Sequence, residues 1–382
     1  MSNRPEDFEQ EREAIRRRNA ELAEQERLRQ REEQERKKVN KDKAMKSLAK
    51  RNQKGFWEKY KDYFAYGALG AVVLFILISN FTGDRRKLSD IPVNEESLII
   101  EHNDANPPFK LGPNDFFQGH TLANVKEWAN NRFSTKKSIP RCNPKSIEDV
   151  TIENDYNFFK EFAHCRTDEV NSKSSASYVE TPLSVFRNRN CRAGGDPAFT
   201  PALHYLFNCD VKFNNGSKGG YLANSVDFMM KHGLINEQCW NDIKGAEGEC
   251  PAADKIKACS KEYVENYCVY ETVDEIKKEI KKNGPVVSFM PAFRDFLIYK
   301  NGQYEQGDKF KVDGMFFVKV VGWETAEDGS QYWLVDPLWG RTWGDDGLAR
   351  VAIGTPESLL DQVGLALYPT AQEKSQEATE EA

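Results

Sequence analysis

The chain has 382 residues and a formal net charge of −6. That length holds one good-sized domain with extra segments, and the acidic balance with no strongly basic patch argues against a nucleic-acid partner.

Residues 1–61 interleave Glu with Arg and Lys, have no Pro after Pro5 and no Gly before Gly55, and so favour helix. Phe8, Ile15 and Leu22 recur every seven residues, but the matching second seam is polar. A solvated charged helix is therefore expected rather than a coiled coil. Residues 63–81 (YFAYGALGAVVLFILISNF) carry no ionisable side chain except tyrosine. As a helix they span about 28 Å, enough for a hydrocarbon core. They lie too far from Met1 for a cleaved signal peptide, so residues 62–82 are predicted to be a signal anchor. Gly67, Gly70 and Ala71 would let two such anchors approach closely.

Three signs orient it. Lys43, Lys46, Lys50, Arg51, Lys54, Lys59 and Lys61 precede the span, whereas Arg85, Arg86 and Lys87 follow it closely. All eight cysteines follow it, which suggests disulfides in an oxidising compartment. Asn215-Gly216-Ser217 is a glycosylation sequon on the same side. The expectation is a single-pass type II membrane protein. Its charged arm would be cytosolic and free to meet a cytosolic partner, and its main domain luminal or extracellular. An acidic tail, 369–382, reads as disordered.

Beyond the span, Thr272 and Glu275 form a capping box that opens a helix with Ile276 and Ile280 on its apolar stripe. Asn283-Gly284-Pro285 stops that helix, and 286–290 reads as a strand. Residues 224–231 read as a helix ended by Gly233. Residues 316–321, 332–335 and 348–353 are apolar or alternating strand-like runs separated by turn signals. Helices first and strands afterwards argue for an α+β domain of two packed lobes.

Asn283-Gly284-Pro285-Val286 followed by Asp295 to Gly302 resembles the "NGPV…DFxxYxxGxY" stretch of papain-like cysteine peptidases. Val318 to Trp323 with Tyr332 to Val335 resembles the strand pair that carries their His and Asn. Trp339 to Gly347 is similar to "SWGxxWGxxG". Thr200 to Cys209 resembles "LSxQxLxxCD", and Lys218-Gly219-Gly220-Tyr221 resembles "CNGGY". Phe109 to Asn114 with Phe117, Gly119, Thr121 and Leu122 resembles a propeptide signature, "WxAGxNxxFxGxTL". The likeness covers about 105–355. His232-Gly233-Leu234 with Cys239 and Cys250 point to the cathepsin X and cathepsin C branches. The resemblance implies a helical lobe and a β-barrel-like lobe over 139–368, preceded by a stem and propeptide-like segment, 83–138.

The chemistry does not follow the fold. Such enzymes use a Cys at a helix start, activated by a downstream His and Asn. Counting back from Cys209 puts Ser175 at the nucleophile position; Phe316 matches the His and Pro337 the Asn. No His follows His232 and no Asn follows Asn301. The oxyanion Gln is missing too, since no Gln lies between Gln118 and Gln238; its matched region is near His164-Cys165-Arg166. Ser172 and Lys218 stand where a family disulfide would be. A serine without a base is nearly unreactive at neutral pH, so no catalytic residue is expected. The alternative is a relocated nucleophile: Ser175 itself, or Cys165 or Cys191 with His164 or His204 as base, although either cysteine fits half of a disulfide.

By the resemblance, Cys209–Cys250 and Cys239–Cys259 are the implied disulfides, with Cys142, Cys165, Cys191 and Cys268 left open. No metal or other cofactor is expected; Cys250, Cys259 and Cys268 lack zinc-site spacing. Gly219, Gly220 and Tyr221 form the implied cleft wall. An extended peptide could pair along it, or the chain's own 105–135 could fill it. The sequence thus predicts a binding, scaffolding or regulatory module on a membrane anchor.

Overall fold

The computed structural model describes residues 86–133, 139–167, 172–212, 214–246, 248–305, 311–355 and 359–370, all within the unit Arg86–Ala382. The charged arm, the predicted anchor and most of the acidic tail lie outside the described residues. Among the described residues no helix is long and apolar enough to cross a membrane.

The elements follow the order α1 (Glu96–Asp104), β1 (Phe109–Leu111), α2 (Leu122–Trp128), β2 (Tyr156–Asn157), α3 (Ser177–Arg192), α4 (Leu203–Cys209), α5 (Leu222–His232), β3 (Leu234–Ile235), β4 (Lys261–Glu262), β5 (Val264–Tyr270), α6 (Val273–Asn283), β6 (Val286–Phe293), β7 (Tyr299–Tyr304), β8 (Lys311–Thr325), β9 (Gln331–Asp336), β10 (Ala349–Ala352) and β11 (Gly364–Pro369), with short helical turns between them. Helices dominate the first half and strands the second, giving a mixed α and β fold, as expected.

Nine strands form the main sheet in the order β1-β7-β10-β9-β8-β6-β11-β5, with β2 against β8. β8 is its spine: Val320 pairs with Val286 of β6 and with Val335 of β9. Two apolar cores result. One fills the sheet-rich lobe, with Trp323, Trp333, Trp339 and Trp343 buried. The other lies among α3, α4 and α5. α6 starts as its capping signal predicts, Thr272 Oγ1 accepting from Glu275 N at 3.3 Å, and ends at Gly284, whose φ of 105° suits glycine.

α3 joins the lobes and is buried on nearly every side, so its polar side chains need partners. Thr181 Oγ1 donates to Phe317 O at 3.0 Å. Ser184 Oγ accepts from Lys319 Nζ at 2.9 Å, and Lys319 also pairs with Asp336 at 3.0 Å. Arg189 pairs with Glu279 at 2.5 Å and donates to the Gly284 and Pro285 carbonyls, both at 3.2 Å. A buried pair anchored this way fixes where a helix sits, although Arg189 Nε itself has no partner among the described residues; losing either member strands a charge.

Four disulfides close the chain: Cys142–Cys268, Cys165–Cys191, Cys209–Cys250 and Cys239–Cys259. The four cysteines that sequence left unpaired are thereby assigned. The propeptide-like segment belongs to the body of the fold. β1 pairs with β7, and Phe109, Leu111, Phe117, Leu122, Val125 and Trp128 enter the first core.

Candidate active-site cleft

Ser177 opens α3. It is 1% exposed, and its Oγ accepts from Phe317 N at 3.1 Å. This helix-start hydroxyl therefore faces β8 beside Phe316, the position matched to the family His. Ser175, the sequence candidate, precedes the helix by two residues. Its Oγ donates to the Glu127 carbonyl and its N–H to Ser217 O at 3.0 Å. The geometry thus favours Ser177 over Ser175 as the residue in the nucleophile's place. Tyr178, next along, was the available sequence signal: aligning it with the Trp of "CGSCWAF" puts Ser177 on the Cys.

Among the described residues neither hydroxyl has a base. Phe316 is 5% exposed, and its ring meets Trp339 edge-on at 5.4 Å. A hydrocarbon ring accepts no proton. Pro337, just past β9, has neither an amide side chain nor an N–H. Its neighbour Asp336 is engaged by Lys319 and by Leu338 N at 2.8 Å. The histidine rings contact Phe109, Trp128, Phe162, Phe207 and Phe228. His164 and His204 are exposed and touch neither serine's hydrogen-bond partners. Where the oxyanion Gln was sought, Arg166 pairs with Asp346 at 2.6 Å. The relocated-cysteine alternative is corrected here: Cys165 and Cys191 are bonded to each other, and no cysteine is free. His164, Cys165 and Cys191 do cluster, but a disulfide offers no thiolate to a metal.

The cleft is occupied by the chain itself. On the helical side Arg132 N donates to Gly220 O at 3.0 Å, Leu222 N to Arg132 O at 3.0 Å and Ala223 N to Phe133 O at 3.1 Å. On the sheet side Met315 N donates to Ala129 O at 2.8 Å. Asn131 spans the two. Its Nδ2 donates to Trp128 O at 2.9 Å and Met315 O at 3.3 Å, and its Oδ1 accepts from Tyr178 N at 3.4 Å, in the first turn of α3. Gly219 and Gly314, with φ of 105° and 121°, allow this approach, since a Cβ at either would meet the backbone of Asn130 or Ala129. Above the strand, Phe117 meets Trp339 edge-on at 4.9 Å and Phe116 lies nearly parallel to it at 6.1 Å. Phe316 completes that aromatic cluster. Asn215 of the sequon is exposed in the turn before the Gly wall, and its N–H donates to Gly219 O at 3.1 Å.

Residues 183–368 match the family described as papain family cysteine protease. Cathepsin B-like protease 1 of Arabidopsis thaliana is 30% identical over 179 residues, 42% of this chain and 47% of that protein, so the match spans about half of that relative's length. Cathepsin B-like CP3 of Giardia intestinalis is 25% identical over 268 residues, 67% of this chain and 88% of that protein. The human tubulointerstitial nephritis antigen-like protein is 27% identical over 206 residues, 44% of each chain. Among solved structures, proCathepsin B S9 from Trypanosoma congolense has the same fold, with a TM-score of 0.64 and 22% identity over 74% of this chain and 100% of that one. These relatives correct the expected branch. The relatives are cathepsin B-like rather than cathepsin X-like or C-like; two cysteines and one turn carry less information than 179 or more aligned residues.

Proposed function

We propose that this papain-family, cathepsin B-like domain is catalytically silent and acts as a binding, scaffolding or regulatory module whose cleft is closed by its own segment. One observation carries the reading: Phe316, in the place of the base, packs with Phe116, Phe117 and Trp339 into one aromatic cluster. The side chain that removes the proton acceptor also helps hold the closing segment. Aromatic pairs of this kind contribute about 0.5–1.5 kcal/mol each beyond burial. An outside peptide would reach Gly219 and Gly220 only by displacing 129–133, so partners are met on the outer surface.

The test is a fluorogenic peptide panel applied to the full chain and to Ser177→Ala. No turnover above that of Ser177→Ala is expected; turnover that disappears in this variant would sink the proposal. We also propose the type II topology, supported by the charge asymmetry around 63–81, the confinement of cysteines to one side and the exposed sequon. Endoglycosidase treatment should shift the wild-type chain on a gel and leave Asn215→Gln unshifted. A chain digested completely by protease outside sealed microsomes would refute the topology.

A further inference from the structure

Away from the cleft, one face of α5 and the end of α4 border a second cavity, of about 450 Å³. That volume lies within the range of small-ligand sites. Its floor is aromatic: Tyr205 and Phe228 meet edge-on at 5.3 Å, and the His232 ring lies 4.6 Å from Phe228. Cys209 and Cys250 both line it, so their disulfide ties two of its walls together.

The charge around it is asymmetric. Lys212, Lys231, Lys257 and Lys261 border the pocket against two acids, Asp210 and Asp227. Both acids are already engaged from within the protein. Asn214 and Ser225 hydrogen-bond to Asp210, and the Tyr267 hydroxyl donates to Asp227 at 2.7 Å. Lys261 donates to the His232 carbonyl at 2.7 Å, which sets its ammonium at the rim. Lys231 and Lys257 are exposed and have no carboxylate partner among the described residues.

We infer that this pocket binds a small organic anion, a phosphate or carboxylate carried on a ring. The ring would rest against Phe228 and Tyr205, and the anion would lie between Lys231 and Lys257, whose ammonium groups can make charge-assisted hydrogen bonds to it. This site is independent of the cleft and of whether the domain is silent.

The experiment is calorimetric titration of the full chain with phenyl phosphate, benzoate, inorganic phosphate and phenol. Saturable binding of phenyl phosphate or benzoate is expected, the two arms showing which anion is preferred, with inorganic phosphate and phenol each weaker. Lys231→Gln and Lys257→Gln, both surface changes, should each weaken it about tenfold. Phe228→Leu should weaken the aromatic anions more than inorganic phosphate. Absence of saturable binding at millimolar concentration would overturn the inference. So would unchanged affinity in the double lysine variant, or phenol binding as tightly as phenyl phosphate.

Discussion

At the scale of single residues the proposed silence turns on Phe316. Restoring an imidazole there does not restore chemistry, because Pro337 cannot orient it and Arg166, not a Gln, lies in the matched oxyanion region. Phe316→His is expected to give no hydrolysis of a fluorogenic peptide, and to lower stability by about 2–4 kcal/mol in urea melts by placing a polar ring in an aromatic cluster. Two buried acids set a separate dependence. Burial raises Asp210 to about 6 despite hydrogen bonds from Asn214 and Ser225. It raises Asp295 to about 6 despite the Tyr304 hydroxyl, which donates at 2.9 Å. Each binds a proton on folding between its unfolded value near 4 and its folded value near 6. Their contribution to stability therefore rises as pH falls through 6 towards 4, by roughly 2–3 kcal/mol per group. Asp295→Asn and Asp210→Asn should each flatten the melting temperature against pH in that window. Unaltered curves would show that these carboxyls do not titrate there. At this scale the missing base was legible, since absent residue types need no alignment. Ser177 was not, because with the neighbouring cysteines replaced only Tyr178 was left to pin the register of 172–178, and the spacing from Cys209 pointed to Ser175 instead.

At the scale of elements, α3, β8 and the strand-like run 129–133 meet along one seam. Gly314 sits in β8 where Ala129 approaches, and a side chain there would force the two backbones apart. Gly314→Val is expected to speed amide exchange at Arg132, Leu222 and Ala223 by at least tenfold while leaving β5 and β11 protected. Uniform loss of protection would mean that the seam is not a separate unit. The capping box of α6 and the alternating strands were readable because each signal is local. The first residues of β8 were missed because Asp313-Gly314 reads as a turn, although in the fold it is strand adapted to a close neighbour. The length of α3 was hidden by Pro182 and by polar residues whose partners lie on other elements, more than 80 residues away for Ser184 and Arg189.

At the scale of the whole molecule, the Cys142–Cys268 bond joins the sheet-rich core to the chain just after the cleft-filling segment, across a sequence separation of 126. A loop of that length constrains the unfolded chain by roughly 5 kcal/mol, so Cys142→Ser with Cys268→Ser should unfold at a markedly lower urea midpoint, and an unchanged midpoint would deny the bond that role. The same bond has a mechanical meaning. If 62–82 anchors the chain, any tension delivered from residue 85 enters through the closing segment. Glu95, which pairs with both Arg86 and Arg294, is the first clasp to feel it. Peeling can then run through 86–141, releasing at most roughly 190 Å of extended chain, before the disulfide arrests it with the rest of the domain still folded. With such an anchor the domain would act as a tether with a covalent stop, its Gly-lined groove bared only as far as Cys142.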